Sequence, residues 1–156
     1  MDKLDALNQV AEFHRTFRHP IEARPLIPSE ERCRLRVALL AEELQELEKA
    51  IEGQDIVEVA DALCDLQYVL SGAVLEFGLG PKFRALFDEV QRSNMSKACR
   101  TREEAEATMR YYKEERGVES YVVESDGAFL VYRSEDNKTL KSIYYSPAAL
   151  EQILNA

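Results

Sequence analysis

The stretch EELQELEKAIEGQDIVEVADALCD, residues 42–65, decides the fold that the sequence predicts. Apolar residues on both sides of Gly53 recur in alternating steps of three and four, which is the spacing of an amphipathic helix. Before the glycine they are Val37, Leu40, Leu44, Leu47 and Ile51, and after it they are Ile56, Val59, Leu63, Leu66 and Leu70. Two such helices joined by a short turn predict an antiparallel pair with coiled-coil-like packing.

The same stretch carries most of the negative charge of the chain. Its nine acidic residues and one lysine give a net charge of −8, compared with −9 for all 156 residues. The rest of the chain is therefore close to neutral. Two interpretations compete: the stretch is either a solvated acidic surface or a site that holds cations.

Helical geometry divides these acids. At about 100° per residue, Glu58, Asp61 and Asp65 fall within roughly 60° of one another and form one acidic stripe. The remainder of their helix is apolar or small, which is typical of a buried helix. On the preceding helix, Glu46 falls on a second apolar side, and Glu43 lies at its border.

The other acids of the stretch belong elsewhere. Glu48, Glu52 and Asp55 fit a solvated face and the turn. Glu42 lies at the border with solvent, and its assignment is open.

The heights of the acids above the turn favour a cation site. At about 1.5 Å per residue, an antiparallel pair brings Glu43, Glu46, Glu58 and Asp61 to nearly one level. Crowded, partly buried carboxylates cannot all stay ionised alone, because repulsion and desolvation raise their pKa values. Mg²⁺ and Mn²⁺ take oxygen ligands, and carboxylates on facing helices supply them.

The rest of the chain predicts a mainly α fold with a small C-terminal β-hairpin and tail. We expect a helical core over 1–117 and an appended segment over 118–156. The predicted helices cover 2–17, 29–51, 55–77, 82–92 and 101–117, and a loop covers 93–97. Predicted strands 120–124 and 128–133 flank a turn, a third possible strand covers 140–145, and a last helix runs from Ser146 and Pro147 to Leu154.

The composition of the chain argues against several classes of protein function. The acidic balance argues against non-specific binding to nucleic acid or to a membrane surface. No apolar run is long enough to span a bilayer, and the N-terminus does not read as a secretory signal. The three cysteines lack CxxC spacing and are typical of reduced thiols, so we expect a cytoplasmic protein. With two histidines, a His-based zinc site is improbable.

The segments EELQE (42–46) and EVAD (58–61) match the EExxE…ExxD signature of the all-α nucleoside triphosphate pyrophosphohydrolase superfamily. Its members include MazG, the dimeric dUTPases, dCTP pyrophosphatases and phosphoribosyl-ATP pyrophosphohydrolase. VAEFHRTFRHP (10–20), DALCDLQYVLSG (61–72) and SNMSK (93–97) resemble a MazG-like branch of phosphoribosyl-ATP pyrophosphohydrolase-type proteins. NKTLKSIYYSPAAL (137–150) is similar to a tail that some of them carry.

The resemblance implies Mg²⁺-dependent cleavage of a nucleotide between the α and β phosphates, giving a monophosphate and pyrophosphate. Carried over by position, the metal ligands are Glu43, Glu46, Glu58 and Asp61. Glu42 and Glu43 are the expected catalytic residues, with Glu42 positioning water or an extra ion. Asp65 is a further ligand, a substrate hydrogen-bond acceptor or a support for the ligands, and we favour the latter two. Mn²⁺ is a possible substitute for Mg²⁺.

Further residues are candidates for substrate contacts. Lys97 and Lys141 could meet the leaving pyrophosphate, with Asn94 as a hydrogen-bond partner. The aromatic side chains His14, Phe17 and Tyr68 are possible walls of a base pocket. Cys64 faces away from the acidic stripe, and we expect it to be packed.

We expect a homodimer or homotetramer with the site near the subunit boundary. One alternative is phosphoribosyl-ATP hydrolysis in histidine synthesis. Another is a non-catalytic helical oligomer that binds a nucleotide or metal as a sensor, or that only scaffolds a partner.

Overall fold

A computed structural model describes residues 4–156 of the chain. The mainly α fold with a C-terminal hairpin is confirmed. Its elements are α1 (Ala6–Phe17), α2 (Glu30–Glu52), α3 (Ile56–Glu76), a 3-10 turn (Gly80–Lys82), α4 (Phe83–Met95), α5 (Arg102–Arg116), β1 (Ser120–Ser125), β2 (Ala128–Arg133) and α6 (Leu150–Asn155).

The chain forms two compact units, which we call the N-terminal unit, up to Arg84, and the C-terminal unit, Ala85–Ala156. The units thus divide at residue 84, whereas the predicted domain division lies at residue 117. Within the C-terminal unit, α5 packs against both strands of the hairpin, which explains why helix and hairpin belong together.

The α2–α3 pair forms as predicted, and side chains cap both helices. The Ser29 hydroxyl accepts a hydrogen bond from the Arg32 backbone N–H at 3.4 Å. The Asp55 carboxylate accepts from the backbone N–H groups of Val57 (2.9 Å) and Glu58 (3.3 Å). Such caps satisfy donors that the first turn of a helix leaves unpaired. A turn at Gly53 joins the helices, so α2 packs back along α3.

The predicted burial of α3 is wrong for the single chain. Its last residues are buried, but Ile56 is 76% exposed and Leu63 is 52% exposed. Within the N-terminal unit, α3 packs on α1 and α2, and the rest of its circumference is left uncovered. Cys64 is also exposed, so its predicted packing is wrong as well.

The exposed apolar residues follow a regular pattern. Six of them recur every seven residues, which is two helical turns, on the two helices, whereas Leu35, Val57 and Tyr68 are exposed outside this spacing. On α2 they are Val37, Leu44 and Ile51, and on α3 they are Ile56, Leu63 and Leu70. We call these six residues the apolar stripe. The alternate members of the predicted seam, including Leu47 and Val59, are less exposed.

Two helix boundaries differ from the prediction. α1 begins at Ala6 rather than at residue 2, and residues 2 and 3 lie outside the described part of the chain. α4 continues through Met95, so the loop predicted over 93–97 was placed three residues too early at its start.

The hairpin has the turn that its sequence predicts. Asp126 (φ 48°) and Gly127 (φ 77°) both adopt left-handed backbone conformations. This pair of conformations joins antiparallel strands in a two-residue turn, and glycine tolerates it without steric cost. Ser125 pairs with Ala128 across the turn, and Val131 lies in the core of the unit with Cys99, Ala105 and Leu140.

The predicted third strand does not form. The Leu140 backbone N–H donates to the Val131 carbonyl oxygen at 2.8 Å, but the bridge between Tyr132 and Thr139 stays isolated. The chain then leaves the sheet, because the Ser142 N–H donates to the Lys97 carbonyl oxygen at 3.0 Å.

The last helix starts at Leu150, so its predicted start at Ser146 and Pro147 is wrong. The carbonyl oxygens of both residues accept hydrogen bonds from Arg92 Nη2, at 3.5 and 3.0 Å. The Ala149 N–H donates to Glu89 Oε1 at 2.8 Å. These contacts hold the segment against α4 in a non-helical conformation.

Candidate active site

The predicted acidic residues lie on the two facing helices. α2 carries Glu42, Glu43 and Glu46, and α3 carries Glu58, Asp61 and Asp65. Glu43 is half-buried, and the other five are exposed in the single chain.

The pKa of Glu43 is raised by the acidic residues around it. Partial burial raises the pKa of its carboxyl group, and the negative charges of Asp65, Glu46, Glu42 and Asp61 raise it further, in that order. The four charges that raise its pKa most are all negative, and two of them come from the facing helix. This arrangement joins the two halves of the predicted site across the α2–α3 pair.

Asp65 belongs closer to the centre of the acidic group than the sequence indicated. Its charge raises the pKa of Glu43 more than the charge of Asp61 does, and Glu58 is not among the four charges with the largest effect. The antiparallel pairing explains this order, because Glu43 precedes Gly53 by ten residues and Asp65 follows it by twelve. Glu58, five residues after the glycine, lies nearer the turn.

The donor set suits a hard divalent cation. The four predicted ligands, Glu43, Glu46, Glu58 and Asp61, are all carboxylates, and a cation between them would offset the repulsion that raises the pKa of Glu43. Among residues 4–156, no three His, Cys, Asp or Glu side chains are already gathered closely enough to hold a metal ion. The exposed carboxylates would have to rotate toward one another to coordinate one.

A buried ionic cluster closes the other end of α2 and α3, and the sequence reasoning missed it. Glu76 is 1% exposed, and both of its oxygens are bonded to arginine. Arg32 Nε donates to Oε2 at 3.2 Å, Arg36 Nη2 donates to Oε1 at 2.5 Å, and Arg32 Nη2 also donates to Oε1. Burial alone would raise the pKa of Glu76, but the hydrogen bonds from the two arginines lower it overall. The sequence did carry a signal for this cluster: Glu76 is an isolated carboxylate at the apolar C-terminal end of α3.

His14 belongs to this cluster. It is 3% exposed, and its Nδ1 lies 2.8 Å from the Pro20 carbonyl oxygen, so that nitrogen carries the proton. Nε2 then accepts from Arg36 Nη2 at 3.4 Å. Burial lowers the pKa of His14, and the Arg36 charge adds to the effect. Both ring nitrogens are therefore engaged within the chain, and contact between His14 and a substrate stays a prediction.

Aromatic rings gather beside the acidic helices. Phe13 connects them: its centroid lies 4.4 Å from Phe17, 5.7 Å from His19 in a stacked arrangement and 5.5 Å from Tyr68 in an edge contact. Tyr68 follows Asp65 by one helical turn on α3. Of the predicted base-pocket residues, Phe17 and Tyr68 thus meet through Phe13, which the sequence reasoning missed. Its position four residues before Phe17, on the same helix face, was the signal.

The other candidate substrate residues lie in the C-terminal unit. Lys97 Nζ donates to Asn94 Oδ1 at 2.8 Å. Lys141 Nζ lies 4.3 Å above the centroid of the Tyr145 ring. Their contact with a substrate held by α2 and α3 stays a prediction.

The phosphoribosyl-ATP pyrophosphohydrolase family belongs to the MazG-like all-α nucleoside triphosphate pyrophosphohydrolase superfamily. The sequence pattern of the phosphoribosyl-ATP pyrophosphohydrolase family matches residues 10–94, more than half of the chain. The chain belongs to this family. Membership supports a pyrophosphohydrolase activity on nucleotide-like substrates.

A relative covers nearly the whole chain. An uncharacterized protein of Acanthamoeba polyphaga mimivirus is 24% identical, with 92% of this chain and 93% of the relative aligned. The similarity therefore extends past residue 94 into the C-terminal unit.

Among residues 4–156, no single helix has the length and apolar character to cross a membrane, although one bent pair, Ile56–Glu76 with Gly80–Met95, passes on those two criteria alone.

Proposed function

We propose that the chain is a Mg²⁺-dependent nucleoside triphosphate pyrophosphohydrolase. Water adds to the α phosphorus of the substrate, the bond to the bridging oxygen breaks, and a nucleoside monophosphate and pyrophosphate leave. The observation that carries the proposal is the position of Glu43, whose pKa is raised by partial burial and by four carboxylates from both helices.

The carboxylates have separate roles in this proposal. Glu43, Glu46, Glu58 and Asp61 hold the metal, for which Mn²⁺ is a possible substitute. The bound ion supplies positive charge for the phosphate chain and lowers the pKa of a water molecule. Glu42 orients the attacking water. Asp65 accepts a hydrogen bond from the substrate or supports a ligand, which fits its strong effect on Glu43.

The nucleobase stacks on the ring group around Phe13. Phe17 is 61% exposed and Tyr68 is 40% exposed, so both rings offer free surface next to the acidic helices. Stacking on aromatic faces tolerates different bases. Lys97, with Asn94, completes the proposal by holding the leaving pyrophosphate, whereas Lys141 lines a separate cavity of the C-terminal unit.

The protein assembles as a homodimer or homotetramer through the apolar stripe. Six large apolar residues at a seven-residue spacing form the kind of seam that a second helical surface covers. The stripe lies on the same two helices as the acids, so the assembled site lies near the subunit boundary. A cytoplasmic location and the absence of nucleic-acid and membrane partners remain predictions.

Pyrophosphate release from a panel of nucleoside triphosphates, with and without Mg²⁺, tests the proposal. Glu46→Ala and Glu58→Ala should abolish Mg²⁺-dependent release. Glu48→Ala is the matched control, because Glu48 is exposed on α2 and lies outside the proposed ligand set. Full activity in either ligand variant, or equal activity in EDTA, would contradict the proposal.

Phosphoribosyl-ATP is a second candidate substrate, favoured by the family match over residues 10–94. Comparing kcat/KM for phosphoribosyl-ATP with values for the nucleotide panel decides between them. Saturable metal binding in calorimetry with no turnover of any nucleotide would instead favour the non-catalytic alternative.

A further inference from the structure

A cavity of about 880 Å³ lies within the C-terminal unit, and its walls are basic and aromatic. The C-terminal part of α5, the end of β2 and the segment 138–145 line it, and it is open to solvent. Its volume falls within the range of about 300–1,000 Å³ that is common for small-molecule sites. Its charged lining residues are all cations: Arg116, Arg133, Lys138 and Lys141. Within the described residues no acid lines it, although the chain as a whole carries a net charge of −9.

The two lysines are the cations most available to a ligand. Arg133 is engaged by Asp136, with Nε–Oδ1 and Nη2–Oδ2 distances of 2.7 and 2.5 Å. Lys138 and Lys141, by contrast, form no ion pair within residues 4–156. The ammonium group of Lys141 rests over the Tyr145 ring, 4.3 Å from its centroid, where a phosphate could still reach it.

Three tyrosines supply the aromatic wall. Tyr111 and Tyr112 meet edge to face, with centroids 5.4 Å apart, and Tyr111 is 39% exposed. The Tyr112 hydroxyl accepts a hydrogen bond from the Lys141 backbone N–H at 3.3 Å, which fixes ring and lysine segment together. Tyr145 donates to or accepts from the Ser93 hydroxyl at 3.0 Å. The rings are thus held in place before any ligand arrives, which lowers the entropy cost of binding.

We infer that this cavity binds a nucleotide through the residues of the C-terminal unit alone. Its phosphate lies against Lys138 and Lys141, and its base stacks on a tyrosine face. Cations beside aromatic rings are the combination that recognises a phosphate joined to a planar base. Because the positive charge comes from side chains, binding needs no metal ion. A long nucleic acid is disfavoured, since the acidic remainder of the chain repels an extended polyanion.

Calorimetric titration of the full chain with AMP in EDTA tests this inference. We expect saturable binding that weakens as salt rises from about 50 to about 300 mM. The variant Lys138→Ala/Lys141→Ala should bind roughly tenfold or more weakly, since each lysine offers a charged hydrogen bond. Lys113→Ala is the matched control, because Lys113 lies on α5 beside the lining tyrosines, pairs with Glu119 at 3.1 Å and does not itself line the cavity.

Three outcomes would overturn the inference: no binding by the wild type in EDTA, equal binding by the double variant, or pyrophosphate binding as tightly as AMP. The last result would indicate a polyanion site without base stacking. Circular dichroism confirms that the variants are folded, and Tyr111→Leu, which keeps both lysines, tests stacking separately by weakening AMP binding but not pyrophosphate binding. Glu46→Ala should retain AMP binding in EDTA, so the site is tested independently of the proposed hydrolase centre.

Discussion

Replacing Glu76 by alanine should lower the free energy of unfolding by about 3–5 kcal/mol, because it leaves a buried cation without its partner. The carboxylate accepts three hydrogen bonds from Arg32 and Arg36. The two arginines differ in their access to solvent: the Arg32 side chain is 30% exposed and can turn to water, whereas the Arg36 side chain is 9% exposed. Arg36 also already carries a buried Nε without a hydrogen-bond partner in the described structure. One stranded charge therefore accounts for the expected loss.

Urea unfolding followed by circular dichroism measures this loss as a lower midpoint. Glu30→Ala is the control, since Glu30 pairs with Arg34 on the exposed surface and its removal should change little. The double variant Glu76→Leu/Arg36→Leu should recover stability relative to Glu76→Ala, because it removes the stranded charge. A loss below about 1 kcal/mol for Glu76→Ala, the range of surface pairs, would refute the reasoning.

The same cluster should make the fold sensitive to acid. The pKa of Glu76 lies below its usual 4.5 in the folded chain, so its stabilising effect is complete above that value and disappears as the pH falls through the folded pKa. The lowered pKa of His14 acts in the same direction, beginning near its usual 6.5. Urea midpoints measured from pH 7 downward should fall in the wild type and fall less in Glu76→Gln. Parallel curves would contradict the assignment.

Three more variants test separate features. Gly72→Ala places a Cβ 2.7 Å from Arg36 Nη1, so the free energy of unfolding should fall by about 1–3 kcal/mol, which a lower melting temperature would show. An unchanged melting temperature would show that the Glu76 cluster adapts to the added methyl group. Leu63→Asp should shift the assembly toward monomer in light scattering, whereas Ile27→Asp in an exposed loop should not, and a monomeric wild type would refute the stripe as an interface. Phe13→Ala should raise KM for the nucleotide roughly tenfold with little change in kcat; an unaltered KM would argue against base stacking there.

The helix caps and the hairpin turn could be predicted from sequence, because each is set by interactions within a few residues. Ser29, Asp55 and Thr101 cap helices within three residues of themselves, and Asp126-Gly127 forms its turn from backbone preference alone. The acids of the candidate site were placed together by counting along two helices from one turn. Such counting places residues only to about one helical turn, which is why Asp65 stood at the edge of the predicted group.

The errors involve contacts that are distant in sequence and an apolar helix surface that the chain itself leaves uncovered. Glu76 meets Arg32 and Arg36 across 44 and 40 residues, and no short pattern encodes such a pair. The segment 146–149 would suit a helix start, but Arg92 and Glu89 of α4 hold it in another conformation. The expected burial of α3 came from its composition, and composition does not say whether the cover is the same chain or a second copy.

The α2–α3 pair is joined at both of its ends. The turn at Gly53 links the helices covalently, and the Glu76 cluster links them again where they would otherwise diverge. Glu43 and Asp65 lie between these two attachment points, so both ends of the helix segment that carries each acid are held. The spacing of the helix backbones at the acidic group is therefore fixed mechanically, and the side chains must make any adjustment to a ligand by rotation.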